Sequence, residues 1–301
     1  MLAQLVPAPL VRIFARPYLA GGTSSAALET AARLLEERSM LSTLDLLGEA
    51  VTEPEQIRTN ESVYAAVIQE LAADARFGER SVRPTVSVKP SAFTIGDLEA
   101  AFAPIERLLE LGRERRVGVT IDMEDRRWTD VTLEHAVRLF EAGHDVGTVL
   151  QTRLHRTEAD LERIPAGMRV RLVIGIYPEP AEVALTDKGA MKERLLTAAA
   201  RLLERGAQVE FATHDDAFVE RFVTEVAPVA PERCELQLLL GVPRDRMLER
   251  VRADPVGQRL PIRVYVPFAT DMAQATAYLR RRLDESPNMM FLVLRNLFQR
   301  G

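Results

Sequence analysis

At 301 residues, with 47% hydrophobic and 28% charged side chains, the chain has the balance of a globular protein able to bury a sizeable core within one large domain. A net charge of −5 without any long single-sign run argues against a nucleic-acid partner. The lone Cys234 excludes an intramolecular disulfide and a cysteine metal cluster, and it suits a reducing cytoplasm.

The N-terminal stretch up to Ala20 is apolar, but Pro7, Pro9 and Arg12 interrupt it and no small-residue cleavage site follows, so a signal peptide is not expected. No run of 18 apolar residues occurs anywhere, so no spanning helix is expected, while peripheral membrane contact stays open. Residues 1–40 read as a helical appendage, clearest over Ala26–Arg38. From there short β-branched runs alternate with helical stretches. The runs are Leu41–Leu47, Pro84–Lys89, Val117–Met123, Asp145–Gln151, Arg169–Gly175, Gln208–Thr213, Glu235–Leu240 and Pro261–Pro267. Between them Ile105–Arg116, Leu133–Ala142, Ala190–Arg205 and Asp215–Val226 carry helical spacing, and Asp271–Glu285 and Met289–Phe298 follow the last run. Strict alternation of strand and helix demands a parallel sheet, and eight units close naturally into a barrel. The expectation is an α/β chain in which residues 41–301 form one (βα)8 barrel of the TIM type, with extra N-terminal helices.

Strand parity then separates outside from inside. Outward faces must be apolar to meet the helices, whereas inward faces can turn polar near the C-terminal ends, where such barrels keep their active sites. Val86 and Val88 leave Thr85, Ser87 and Lys89 inside, and Val117, Val119 and Ile121 leave Thr120 and Asp122. Leu236, Leu238 and Leu240 leave Gln237 and Leu239, and Ile262, Val264 and Val266 leave Arg263 and Tyr265. Arg171, Val173 and Gly175 share one face, and Leu172 and Ile174 the other, which points Ile174 away from the lumen. Lys89, Asp122, Gln237 and Tyr265 thus meet near the barrel top. Lys89 there reads as an anion anchor or a solvated loop lysine, and Asp122 as a loop cap or the partner of a cation.

Three further strand ends bear on a planar, phosphate-bearing cofactor. Gln151-Thr-Arg153 offers an amide and a cation, and Gly175 allows close backbone approach. Phe211-Ala-Thr-His-Asp215 leads into a helix N-terminus of the kind that receives phosphate. No GxGxxG or P-loop is present, so a Rossmann site is not expected. Beyond the last strand, Tyr278, Arg281, Arg282 and Glu285 fall at i, i+3, i+4 and i+7 and share a helix face. Such a face is commonly a salt-bridged surface, yet paired guanidiniums beside a tyrosine also suit an oriented carboxylate. Asp122, Glu124, Asp125, His155 and His214 lack any recognised metal-ligand spacing, so no metal is expected.

The segment Tyr278-Leu-Arg-Arg-Arg-Leu-Asp-Glu285 resembles the Tyr-Leu-x-Arg-Arg-x-x-Glu signature of proline dehydrogenases. Leu44-Asp-Leu-Leu-Gly-Glu49, Val88-Lys-Pro-Ser91, Ile121-Asp-Met-Glu124, Arg171-Leu-Val-x-Gly-x-Tyr177 and Ala212-Thr-His-Asp215 resemble family strand-end motifs in the family's order. The short length is similar to that of the stand-alone bacterial enzymes. The resemblance implies a distorted (βα)8 barrel with non-covalent FAD that oxidises L-proline to Δ1-pyrroline-5-carboxylate and passes electrons to a membrane quinone, at the inner face of the cell membrane. It implies that Lys89, Arg281 and Arg282 bind the proline carboxylate, with Asp122 holding the arginine side of that network. Tyr177, Leu239, Tyr265 and Tyr278 would pack on the ring, and Gln151, Arg171, Val173, Gly175, Thr213, His214 and Glu285 would contact FAD. Ile174 stands where the family often has lysine, and Ser286 where asparagine commonly follows the glutamate. Rival readings are a metal- or acid/base-dependent barrel lyase or hydrolase built on Asp122, Glu124 and His214, and a non-catalytic barrel that senses a carboxylate.

Overall fold

The computed structural model describes residues 16–49, 51–271 and 276. Eight parallel strands close into a barrel in chain order: β1 Leu41–Leu46, β2 Thr85–Val88, β3 Val119–Ile121, β4 Val146–Gln151, β5 Arg169–Val173, β6 Gln208–Ala212, β7 Cys234–Leu239 and β8 Ile262–Phe268. Each expected strand is present, generally a residue or two shorter. The barrel seam is β1 on β8, with Thr43 opposite Tyr265 and Asp45 opposite Pro267.

The helices are α1 Ser24–Arg38, α2 Pro54–Ala73, α3 Phe102–Arg115, α4 Thr129–Glu141, α5 Thr157–Leu161, α6 Lys188–Glu204, α7 Asp216–Arg221 and α8 Asp245–Ala253. Their starts follow local chemistry. Thr23 caps α1 by accepting from the Ala26 amide at 3.2 Å, and Asp187 caps α6 through Ala190 at 2.7 Å. Glu53 and Gln56 form a capping box ahead of α2, whose first residue is Pro54. The expected helix Asp215–Val226 is not uniform, because α7 passes into a π-helical turn at Phe222–Val226. There Phe222 stacks on Phe211 with ring centroids 4.1 Å apart. The stretches Asp271–Glu285 and Met289–Phe298, and with them Tyr278, Arg281, Arg282, Glu285 and Ser286, lie outside the described residues apart from Asp271 and Thr276.

One hydrophobic core fills the shell between strands and helices. Val86, Val88, Val119, Ile121, Leu236 and Val266 supply it from the strands, and Ala27, Leu28, Ala31 and Ala32 of α1 share it. Cys234, at the N-terminal start of β7, is buried there, and burial pushes its thiol up to about 12.

The lumen is different. Barrel interiors are commonly packed with Val, Ile and Leu, but here the inward positions near the N-terminal end carry charge. Arg169 meets Glu210 at 3.1 Å and Asp145 at 3.2 Å, while Arg263 meets Glu235 at 2.7 Å. Gln237 donates to Glu210 and to Glu235, each at 2.8 Å, so this charged floor is tied to the residues above it.

Candidate active site

At the C-terminal mouth lies a cavity of about 300 Å³. Parity delivers its floor. Lys89 follows β2, Asp122 follows β3, Arg171 and Gln237 lie in β5 and β7, and Tyr265 lies in β8, so all five point inward at similar depth. The walls are apolar, formed by Val149, Val173 and Leu239, and Tyr177 also lines the cavity.

Asp122 is the hub. Its Oδ1 accepts from Arg171 Nη1 at 2.7 Å and from Ser87 Oγ at 3.0 Å, and its Oδ2 accepts from the Tyr265 hydroxyl at 2.7 Å. Lys89 stands 3.4 Å away. Burial alone would raise the Asp122 carboxyl, but Lys89, Arg171, Tyr265 and Ser87 outweigh it and hold the group below its ordinary value. Lys89 Nζ donates to Asp45 Oδ1 at 2.6 Å and to the Tyr265 oxygen at 3.0 Å, with Glu49 at 3.8 Å. Burial works to lower the Lys89 ammonium, yet Asp45, Tyr265, Asp122 and Glu49 carry it well above normal, so it stays charged. Arg171 donates through Nε to Gln237 at 2.6 Å and lies 5.1 Å over the Tyr265 ring. Its Nη2 is buried without a hydrogen-bond partner among the described residues.

The remaining expected residues surround this floor. Gln151 donates to the Glu124 carbonyl at 2.7 Å and lies against Gly175. Gly175 adopts φ +102°, and a Cβ there would stand 2.5 Å from Gln151 Oε1, so glycine is what allows the chain to turn inward. Thr213 Oγ1 accepts from the Asp215 amide at 3.2 Å, and His214 Nε2 accepts from the Leu239 amide at 3.1 Å. Parity misplaced Ile174. Strand β5 ends at Val173, and the turn through Gly175 brings Ile174 to the cavity wall rather than away from it.

Asp45 was missed, although Leu44 and Leu46 flank it with the alternation that placed Asp122. It is fully buried, lines the cavity, and is pushed up to about 6 mainly by burial, against the pull of Lys89. Glu124 takes another role than the one weighed for it. It clamps Ser91 through the amide at 2.8 Å and the hydroxyl at 2.6 Å, and burial raises its carboxyl to about 7. Asp125 meets Arg127 at 2.8 Å and the exposed His155 meets the Ala181 carbonyl at 2.9 Å, so these acids and histidines diverge. Among the described residues no group of three or more His, Cys, Asp or Glu could hold a metal ion.

The family model for proline dehydrogenase matches residues 27–291, nearly the whole chain. The chain belongs to the proline dehydrogenase family. Proline dehydrogenase 1 of Bacillus subtilis is 31% identical over 306 residues, covering 99% of this chain and 95% of the relative. Proline dehydrogenase of Deinococcus radiodurans is 32% identical, covering 93% and 88%. Family membership makes the chain an oxidoreductase acting on proline. The fold is shared with solved structures. Proline utilization A from Bdellovibrio bacteriovorus, inactivated by N-propargylglycine, superposes with a TM-score of 0.79 at 23% identity. The match covers 91% of this chain and 32% of that one, so the chain spans about a third of that protein's length. A Bradyrhizobium japonicum proline utilization A mutant gives a TM-score of 0.74 at 21% identity, covering 89% and 30%.

Proposed function

We propose that this proline dehydrogenase takes L-proline to Δ1-pyrroline-5-carboxylate on FAD within the barrel from residue 41 onward, and passes the electrons to a membrane quinone. One observation carries the reading: a charged ammonium, Lys89, beside the Asp122–Arg171–Tyr265 cluster at the floor of an apolar-walled cavity. Anion anchor, ring-sized apolar wall and polar floor are the three things a small cyclic amino acid needs.

Two features fit a flat cofactor against this floor. The buried Arg171 Nη2 makes no hydrogen bond among the described residues, and Gly175, packed against Gln151 and Arg153, brings its backbone into the cavity lining with no side chain of its own. Gln151, Arg171, Val173, Gly175, Thr213 and His214 would hold FAD from β4, β5 and β6, with Glu285 completing the set. FAD, when bound, supplies the acceptor for the hydride that leaves C5 of proline. The protein's own work is orientation and electrostatics. Lys89, Arg281 and Arg282 grip the carboxylate and so fix C5 relative to the cavity floor. Asp122 keeps Lys89 and Arg171 in place, and Tyr177, Leu239, Tyr265 and Tyr278 pack on the ring and exclude water. Proline's nitrogen must shed a proton to solvent before the hydride leaves.

Among the described residues no helix is long and apolar enough to cross a membrane. Ile95 nonetheless stands 47% exposed on the loop that follows β2, at the end where the cavity opens, and the half-exposed Ile176 lines the cavity itself. That placement supports peripheral docking, at the cytoplasmic face, beside a quinone pool. The deciding experiment is a spectrum. The protein supplied with FAD should be yellow, bleach anaerobically with proline and recover its colour with a soluble quinone; a colourless protein that refuses FAD refutes the reading. Arg281→Met should raise the proline KM severely while the flavin stays bound, and near-normal proline kinetics would remove Arg281 from the clamp.

A further inference from the structure

Lys89 is over-subscribed. Three carboxylates face its ammonium, Asp45 at 2.6 Å, Asp122 at 3.4 Å and Glu49 at 3.8 Å. Asp122 has Arg171, Ser87 and Tyr265 as further donors. Asp45 is placed otherwise: its Oδ1 takes the Lys89 hydrogen bond, its Oδ2 is buried with no hydrogen-bond partner among the described residues, and the side chain has no exposed surface. The ammonium that would receive a ligand carboxylate is thus already engaged by a buried carboxylate that has no other hydrogen-bond partner among the described residues.

A second anion reaching Lys89 would stand beside Asp45 in a site shielded from water. The clamp proposed above adds Arg281 and Arg282 on the ligand's carboxylate, but at Lys89 the ligand and Asp45 share one ammonium, and two carboxylates held there do not both stay ionised at equal cost; one of them takes a proton. We propose that Asp45 is the positioning residue for Lys89 and takes up a proton from solvent when the substrate carboxylate docks. This rests on the reading that Lys89 receives that carboxylate.

The neighbours favour Asp45 as the acceptor. The groups facing it are Lys89 after β2, Asp122 after β3, Glu49 after β1, Tyr265 from β8 and Tyr64 from α2. Both tyrosines are pushed well above their ordinary value, chiefly by burial, and remain neutral. Asp122 is held low by its donors, and Lys89 is held charged. The Asp45 carboxyl already stands near 6, so further negative charge at Lys89 carries it toward neutral pH. The proton bonds to a carboxylate oxygen, Lys89 keeps its own three, and the released cation turns to the ligand.

Proline is a poor probe, because its nitrogen releases a proton of its own. Cyclopentanecarboxylate keeps the ring and the carboxylate and has no amine. Titrated calorimetrically into the FAD-loaded enzyme between pH 6 and about 8.5, in buffers of different ionisation heat, it should bind with uptake approaching one proton. Its affinity should fall by up to about tenfold per pH unit across that window. Asp45→Asn should abolish the uptake, flatten the profile and bind more tightly than wild type at the upper pH, whereas Glu49→Gln should retain the wild-type slope. Absence of proton uptake in the wild type, or an unchanged slope in Asp45→Asn, overturns the proposal. Should Asp45→Asn not fold, the wild-type infrared difference spectrum decides: a protonated carboxyl stretch must appear on binding, and its absence overturns the assignment. If proline bleaches the flavin while uptake is absent, only the Asp45 role falls. If the protein neither holds FAD nor binds the ring carboxylate, the reading of the site falls with it.

Discussion

Asp122→Asn tests the hub directly. Its two oxygens accept from donors on both sides, Arg171 and Ser87 on Oδ1 and Tyr265 on Oδ2. An asparagine has one oxygen and one NH2 group; with the oxygen kept toward Arg171 and Ser87, the NH2 faces the Tyr265 hydroxyl, which accepts it only by giving up the hydrogen bond it now donates. Loss of charge matters as well, and unequally. Lys89 keeps Asp45 at 2.6 Å, but Arg171 is left with Glu210 at 3.8 Å as its nearest carboxylate. Removing one partner of a buried pair costs about 3–5 kcal/mol, and because only Arg171 is left poorly compensated, the lower end of about 3 kcal/mol is expected. Urea unfolding of the FAD-free protein at pH 7 measures it. The Asp122 carboxyl is depressed in the folded protein, so its contribution is present above the unfolded value and disappears as the pH falls through the folded one. Replacing Arg171 with Met in the same chain should recover part of the loss, since no buried cation then lacks its partner. A loss below about 1 kcal/mol, or strict additivity of the two substitutions, would refute the hub.

Two further outcomes follow from the same geometry. Gly175→Ala meets both the positive φ and the contact with Gln151, so it should cost about 2 kcal/mol or more and weaken FAD retention, read by urea midpoint and by flavin fluorescence on titration. Glu124→Gln should be tolerated within about 1 kcal/mol at pH 5, because its oxygen can accept from the Ser91 amide while its NH2 donates to the Ser91 hydroxyl. The raised Glu124 carboxyl gives stability that is full below about 4.5 and lost as the pH climbs through about 7. The variant should therefore gain on wild type by about 3 kcal/mol between pH 5 and pH 8, and parallel urea profiles would count against that titration.

The barrel was legible because period-2 alternation is a local signal that every strand repeats. The apolar partners Val86 and Val88, or Val119 and Ile121, announce which side chains turn inward without any tertiary information. Depth along the barrel is not local. Arg263 and Tyr265 share a parity, yet Arg263 meets Glu235 in the charged floor while Tyr265 reaches the cavity, a distinction set by register between strands. Strand ends were the other blind spot. Alternation carried one residue too far put Ile174 on the wrong side, because a glycine with positive φ ends the rule there. Arg171, expected through the resemblance as a cofactor contact, also spends two nitrogens on Asp122 and Gln237, a partnership between β3, β5 and β7 that no local pattern reveals.

The solitary thiol has a practical side. Cys234 sits at the opposite end of β7 from Leu239 and the active-site cavity, nearly buried at the wall of a second cavity there, and burial keeps its thiol from ionising. Alkylating reagents therefore have a single address, and full access to it takes an opening of the wall around β7. Pulsed labelling of that one sulfur becomes a clock for barrel breathing, read by intact mass in the same tube as the flavin's colour, with no reporter to engineer.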